Sequence, residues 1–112
     1  MPYLELRTNV SADEAGLALE LSALAAELLQ KSEDYVMVAI ESGRMMTFGG
    51  SEEPCAYLTL KSLGLEQAQT PALSERLCAY LSEKLDVLPD RIYVEFSSPS
   101  RAMWGWNGRT FN

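Results

Sequence analysis

One segment of the chain is written twice. Residues 2–8 read PYLELRT and residues 56–62 read AYLTLKS, so Tyr, Leu, Leu, a basic residue and a hydroxyl residue recur in register. Both copies alternate apolar and polar side chains, the period of a half-buried strand. A repeat of this length marks one supersecondary unit that has been duplicated. The two copies differ at their first position, where Pro2 stands in one and Ala56 in the other. The strand accepts Ala there, so the repeat geometry does not require Pro.

A helical pattern follows each strand. Ser11 with Glu14 reads as a capping box, and Leu17, Leu21, Leu24 and Leu28 then fall on one helical face. In the second copy Thr70 and Pro71 suit the cap and first turn, and Leu73, Leu77, Leu81 and Leu85 form the matching stripe. Each copy closes with a β-branched and aromatic run, DYVMVAIES at 34–42 and DRIYVEFSS at 90–98. Two such βαβ units predict an α+β fold, a four-stranded sheet with both helices on one face. They form a single domain over 1–112, with repeats spanning roughly 2–54 and 55–112. The opposite face is left bare. It is expected to be an apolar layer covered by copies of the chain meeting in an oligomer.

Composition narrows the chemistry. The net charge of −7 and the scattered basic residues make nucleic acid and anionic membrane surfaces poor partners. No apolar run approaches the ~20 residues of a membrane helix, and the first residues lack the pattern of a signal peptide. Cys55 and Cys78 do not make a disulfide framework, so a cytoplasmic location is expected. The chain contains no histidine. Acid–base chemistry near neutral pH therefore needs another group.

Pro2 is a candidate for that group. Removal of Met1 would expose a secondary amine, and a free α-amino group titrates near 7.7–8.0. Burial or a nearby cation lowers that value toward neutrality, where a general base works best. Read alone, Pro2 is more simply the start of an edge strand.

Several collinear blocks carry a family resemblance. They are MPYLELRTNV at the start, MTFGGSEEPCA at 46–56, PDRIY at 89–93, and GWN at 105–107 with Thr110 and Phe111 beyond it. Together they resemble the macrophage migration inhibitory factor family of N-terminal-proline tautomerases. The resemblance implies the duplicated βαβ fold assembled as a trimer, with sheets lining a central barrel. It implies that Pro2 is the catalytic base and that Lys31 binds the substrate carboxylate, polarises its carbonyl and keeps the proline amine neutral. Read alone, Lys31 is a cation favoured by the C-terminal end of a helix dipole. Ser62 and Leu63 match the pocket wall, and Tyr35, Trp106 and Phe111 match its aromatic or apolar rim. Tyr93 matches a tyrosine that reaches into the neighbouring subunit's site. Each aromatic is also accounted for by ordinary packing.

Three positions depart from the family pattern. The animal cytokine carries Cys-Ala-Leu-Cys, whereas Cys55 is followed here by Ala56, Tyr57 and Leu58, so no CxxC redox pair exists. Glu95 replaces an asparagine that contacts the distal end of the substrate; a charged Glu accepts but does not donate. Trp104 replaces a small aliphatic residue at the pocket mouth. Residues implicated in receptor binding align with Ala12 and Gly43, which carry no matching charge. The resemblance thus implies a keto–enol isomerase for phenylpyruvate-like 2-keto acids, acting without metal or organic cofactor. The alternative is a cytokine-like binding protein with a vestigial site.

Overall fold

The computed structural model describes residues 1–112. The chain runs β1 (Pro2–Thr8), α1 (Glu14–Leu29), β2 (Met37–Glu41), β3 (Ala56–Ser62), α2 (Thr70–Leu85) and β4 (Ile92–Ser97). A small hairpin follows, β5 (Gly105–Trp106) and β6 (Arg109–Thr110). The main sheet has the order β2-β1-β3-β4. β1 pairs parallel with β2, β3 pairs parallel with β4, and the two units meet along an antiparallel β1–β3 seam. In that seam Pro2 lies opposite Ser62 and Thr8 opposite Ala56. The two pairs are equivalent positions of the duplicated unit, so the repeat is also a local two-fold relation. No helix is long and apolar enough to cross a membrane.

One core serves both helices. Leu4 and Leu6 of β1 and Leu58 and Leu60 of β3 are almost wholly buried, as are Leu17 and Leu21 of α1 and Leu77 and Leu81 of α2. All belong to one continuous cluster, which places both helices on the same sheet face. Each fully buried leucine contributes roughly 1.5–3 kcal/mol of transfer free energy. The stripe expected on α2 is the one buried, Leu73, Leu77, Leu81 and Leu85. On α1 it drifts: Ala25 and Leu29 are buried in place of Leu24 and Leu28, which are only half-covered. Both helices thus bury an i, i+4 row, a line inclined to the helix axis rather than parallel to it.

Other local expectations are corrected. The α1 cap is Asp13, whose carboxylate accepts from Gly16 N at 3.2 Å. Ser11 caps nothing. Glu14 instead reaches across to Ser42, accepting from its backbone N and its hydroxyl at 2.8 Å each. β2 and β4 start later than the sequence suggested, because short 3₁₀ turns occupy Glu33–Tyr35 and Pro89–Arg91.

The bare face is polar, which overturns the expected apolar layer. Strict alternation sends Tyr3, Glu5 and Arg7 of β1 and Tyr57, Thr59 and Lys61 of β3 away from the helices. The leucines are all spent on the other side. The charges pair laterally. Arg7 Nε lies 3.1 Å from both Glu5 and Glu41, Tyr3 Oη donates to Glu5 at 2.9 Å, and Tyr57 Oη donates to Glu95. Its large apolar contribution comes from the outer strands, where Met37 and Tyr93 share this face and stay exposed.

Candidate active site

Pro2 opens an inner strand rather than an edge one, since β2 and β3 flank β1. Pro is tolerated there because only the first residue of a strand can lack its N–H without breaking the ladder. Its side chain is fully buried. Just before it, the α-amino group of Met1 stands beside Lys31. That amine titrates below its ordinary value, first because burial disfavours its charge and then because the Lys31 cation stands beside it.

Lys31 arrives at this position through the end of α1. Gln30 adopts the left-handed conformation, and Lys31 N donates to Ala26 O at 3.0 Å, closing a Schellman motif. The second repeat ends identically, with Asp86 left-handed and Val87 N donating to Ser82 O at 3.2 Å. The residue after a left-handed cap commonly makes an apolar contact. Val87 does so, only 2% exposed within the core. Lys31 breaks that preference. Its ammonium crosses to the end of β3, donating to Leu63 O at 2.7 Å and Ser62 Oγ at 3.1 Å. The helix-dipole account of Lys31 does not explain those partners. A local rule broken at one copy of a repeat and kept at the other marks a site.

A cleft of about 340 Å³ opens beside these groups. Met1, Pro2, Asp34, Tyr35, Met37, Trp104 and Trp106 are among the residues that line it. Trp106 stands edge-on to Tyr35, ring centres 5.9 Å apart, and stacks on Phe111 at 6.3 Å. The hairpin β5–β6 presents Trp106. Its turn, Asn107–Gly108, has positive φ at both positions, the geometry Asn-Gly favours in two-residue hairpins. A similar groove of about 310 Å³, between the start of α1 and the end of α2, has no aromatic wall, and its one ammonium, Lys84, is tied to Glu20 at 2.9 Å.

The structure therefore brings Pro2, Lys31, Ser62, Leu63, Tyr35, Trp104, Trp106 and Phe111 into one region. Tyr93 and Glu95 lie elsewhere in the subunit, on the outer strand β4. Tyr93 packs on Phe48, ring centres 4.8 Å apart, and Glu95 is exposed and already accepts from Tyr57. Glu95 is thus not an unpartnered carboxylate. Sequence reasoning missed Asp34 and Met37 as cleft walls. Their signal was adjacency to Tyr35 at the strand entrance.

The longest resembling block, residues 46–56, lies away from the cleft and is held by the other blocks. Gly49 and Gly50, both at positive φ, make a tight turn closed by reciprocal Phe48–Ser51 backbone bonds of 2.9 and 3.1 Å. Asn9 Nδ2 donates to Glu52 O and Glu53 O at 3.0 and 3.1 Å, and Asn9 Oδ1 accepts from Cys55 N at 2.9 Å. Thr8 Oγ1 donates to Cys55 O at 2.8 Å. Arg91 forks over the loop, donating to the carbonyls of Phe48, Ser51, Glu53 and Pro54. Cys55 is buried, as a small apolar residue would be. No group of three or more His, Cys, Asp or Glu residues is placed to hold a metal ion.

The family profile "Macrophage migration inhibitory factor (MIF)" matches residues 1–112. Macrophage migration inhibitory factor from Meriones unguiculatus is 39% identical over 99% of each chain, and that from Rattus norvegicus is 36% identical over the same share. Among solved structures, the homologue from Prochlorococcus marinus superposes with a TM-score of 0.91 at 39% identity, over 98% of this chain and 99% of the other. The protein from Trichinella spiralis gives 0.91 at 34% identity, over 97% and 99%. The chain belongs to the macrophage migration inhibitory factor family, within the tautomerase superfamily.

Proposed function

We propose that the protein is a keto–enol tautomerase of phenylpyruvate-like 2-keto acids, with the Pro2 amine as general base once Met1 is removed. The observation that carries this reading is the Lys31 ammonium, drawn from the end of α1 to the head of β1, where with burial it disfavours the charge of the Met1 amine and would stand beside the Pro2 amine once Met1 is removed. A neutral secondary amine there takes a proton from the carbon beside the carbonyl, or from the enol hydroxyl in reverse. Lys31 stabilises the developing enolate oxygen and pairs with the carboxylate, and the amine returns the proton at the other atom. General-base assistance of this kind contributes about 10²–10⁴-fold, and charge stabilisation adds to it. The aromatic wall of Tyr35, Trp104 and Trp106 receives the aryl ring.

The same reading calls for assembly as a trimer. Tyr93 and Glu95 are remote from the cleft of their own subunit, and both outer strands, β2 and β4, have a free edge. In a trimer the polar sheet faces line the centre, and Tyr93 serves a neighbour's cleft. The deciding experiment follows ketonisation of phenylpyruvate enol by ultraviolet absorbance, for Met1-free wild type and Pro2→Ala. Turnover by wild type and its loss in the variant are expected. Equal rates would remove the proline mechanism, and receptor-type binding that outlasts inactivity would favour the cytokine-like alternative.

A further inference from the structure

Lys31 can act at Pro2 only if its ammonium stays at the head of β1, and a lysine stem of four carbons does not stay anywhere unaided. Thr8 and Ser62 are the two buried polar residues of the chain, each with no exposed surface. They are equivalent positions of the repeat, and their surroundings differ. Thr8 serves the backbone, donating to Cys55 O and accepting from Val10 N at 3.1 Å. Ser62 lies opposite Pro2, and its Oγ accepts from Lys31 Nζ at 3.1 Å. The second copy pairs Thr8 with Ala56 and carries Val87 where the first carries Lys31. The hydroxyl is kept in both copies, but only that of the second copy, Ser62, faces an ammonium, the one supplied by the first copy's helix end.

We propose that Ser62 is a positioning residue, whose hydroxyl together with the Leu63 carbonyl fixes the Lys31 ammonium against the residue at the head of β1. The role of Lys31 in turnover rests on the tautomerase reading; its placement by Ser62 does not. Two acceptors on one strand end define a direction for the ammonium, whereas Leu63 O alone leaves it free to swing about a single bond. Without Ser62 Oγ the cation spends less time beside the terminal amine. The other titratable groups bordering the cleft, Tyr3, Asp34 and Tyr35, come from β1 and the turn before β2. They are unchanged by a substitution on β3.

The test uses Met1-free protein labelled with ¹³C,¹⁵N-proline and ¹⁵N-lysine. The Pro2 amine is titrated by NMR for wild type, Ser62→Ala and Ser62→Thr, together with ammonium proton exchange at Lys31. In Ser62→Ala the Pro2 titration moves to higher pH, because the cation opposing its protonation has moved away. Lys31 exchange accelerates, and kcat/KM falls about ten-fold, the equivalent of one charge-assisted hydrogen bond. Ser62→Thr restores all three toward wild type, as Thr8 shows that a threonine fits the same register. A Pro2 titration in Ser62→Ala that coincides with wild type overturns the proposal, even if the variant melts earlier. So does a wild-type Lys31 ammonium that exchanges as fast as that of exposed Lys61, a result that needs no variant to fold. Wild type that positions Lys31 but turns over no keto acid sinks the tautomerase reading and leaves the positioning role standing.

Discussion

Replacing Arg91 with Ala removes four hydrogen bonds at once. They run from Nε to Pro54 O at 2.9 Å, from Nη1 to Phe48 O at 3.1 Å, and from Nη2 to Ser51 O and Glu53 O at 3.2 and 3.0 Å. The bonds to Phe48 and Ser51 are part-buried and the other two are exposed. Net worth per bond is about 0.5–1.5 kcal/mol, and exposed carbonyls recover water, so the exposed pair takes the low end. The four together come to about 3 kcal/mol. The guanidinium also sits 5.2 Å from the centre of the Phe48 ring, which adds ~0.5 kcal/mol at an exposed site. For a domain of this length the total of about 3.5 kcal/mol lowers Tm by roughly 15 °C. Arg91→Lys keeps the charge but cannot present a planar fork to four carbonyls, so it should lose at least half as much. Calorimetry on wild type, Arg91→Lys and Arg91→Ala at one protomer concentration measures this, because dissociation couples to unfolding in an oligomer. Amide exchange at Phe48 and Ser51 reports whether the loop itself opens. A loss under 1 kcal/mol in Arg91→Ala, or a lysine variant as stable as wild type, would refute the clamp.

Further outcomes follow from the site. Intact mass of active protein should show loss of one methionine, and full activity with Met1 retained would exclude the proline base. Lys31→Ala should move the acidic limb of the kcat/KM profile to higher pH: the base works only when neutral, Lys31 opposes its protonation, and removing that cation raises the pH needed to deprotonate it. An unmoved limb would separate Lys31 from the amine. Light scattering at micromolar concentration should give about three times the 12.4 kDa chain mass, and a fully active monomer would contradict a shared site. Since Tyr57 already donates to Glu95, Glu95→Gln should leave the kcat/KM ratio of 4-hydroxyphenylpyruvate to phenylpyruvate unchanged; a narrowed ratio would put Glu95 in a substrate cleft.

The duplicated strand, the stripe of Leu73, Leu77, Leu81 and Leu85, and the difference between Pro2 and Ala56 were legible in the residues alone. Periodicity is local, and a repeat is visible wherever it falls in the chain. What the bare sheet face is made of was misjudged. An uncovered face was read as an apolar one, although the alternation in PYLELRT and AYLTLKS already assigned every leucine to the helix side. The α1 cap was also misplaced, because Glu14 had a partner in Ser42, 28 residues away. The geometry of the candidate site was decided by tertiary structure. Lys31 lies 31 residues from Ser62, and only the fold makes that ammonium donate to β3 rather than cap its own helix. The same holds for Arg91, whose four acceptors lie 37 to 43 residues earlier in the chain. Sequence records which side chains can donate or accept; which of them meet depends on strand register and helix ends, and those are fixed by packing over the whole domain.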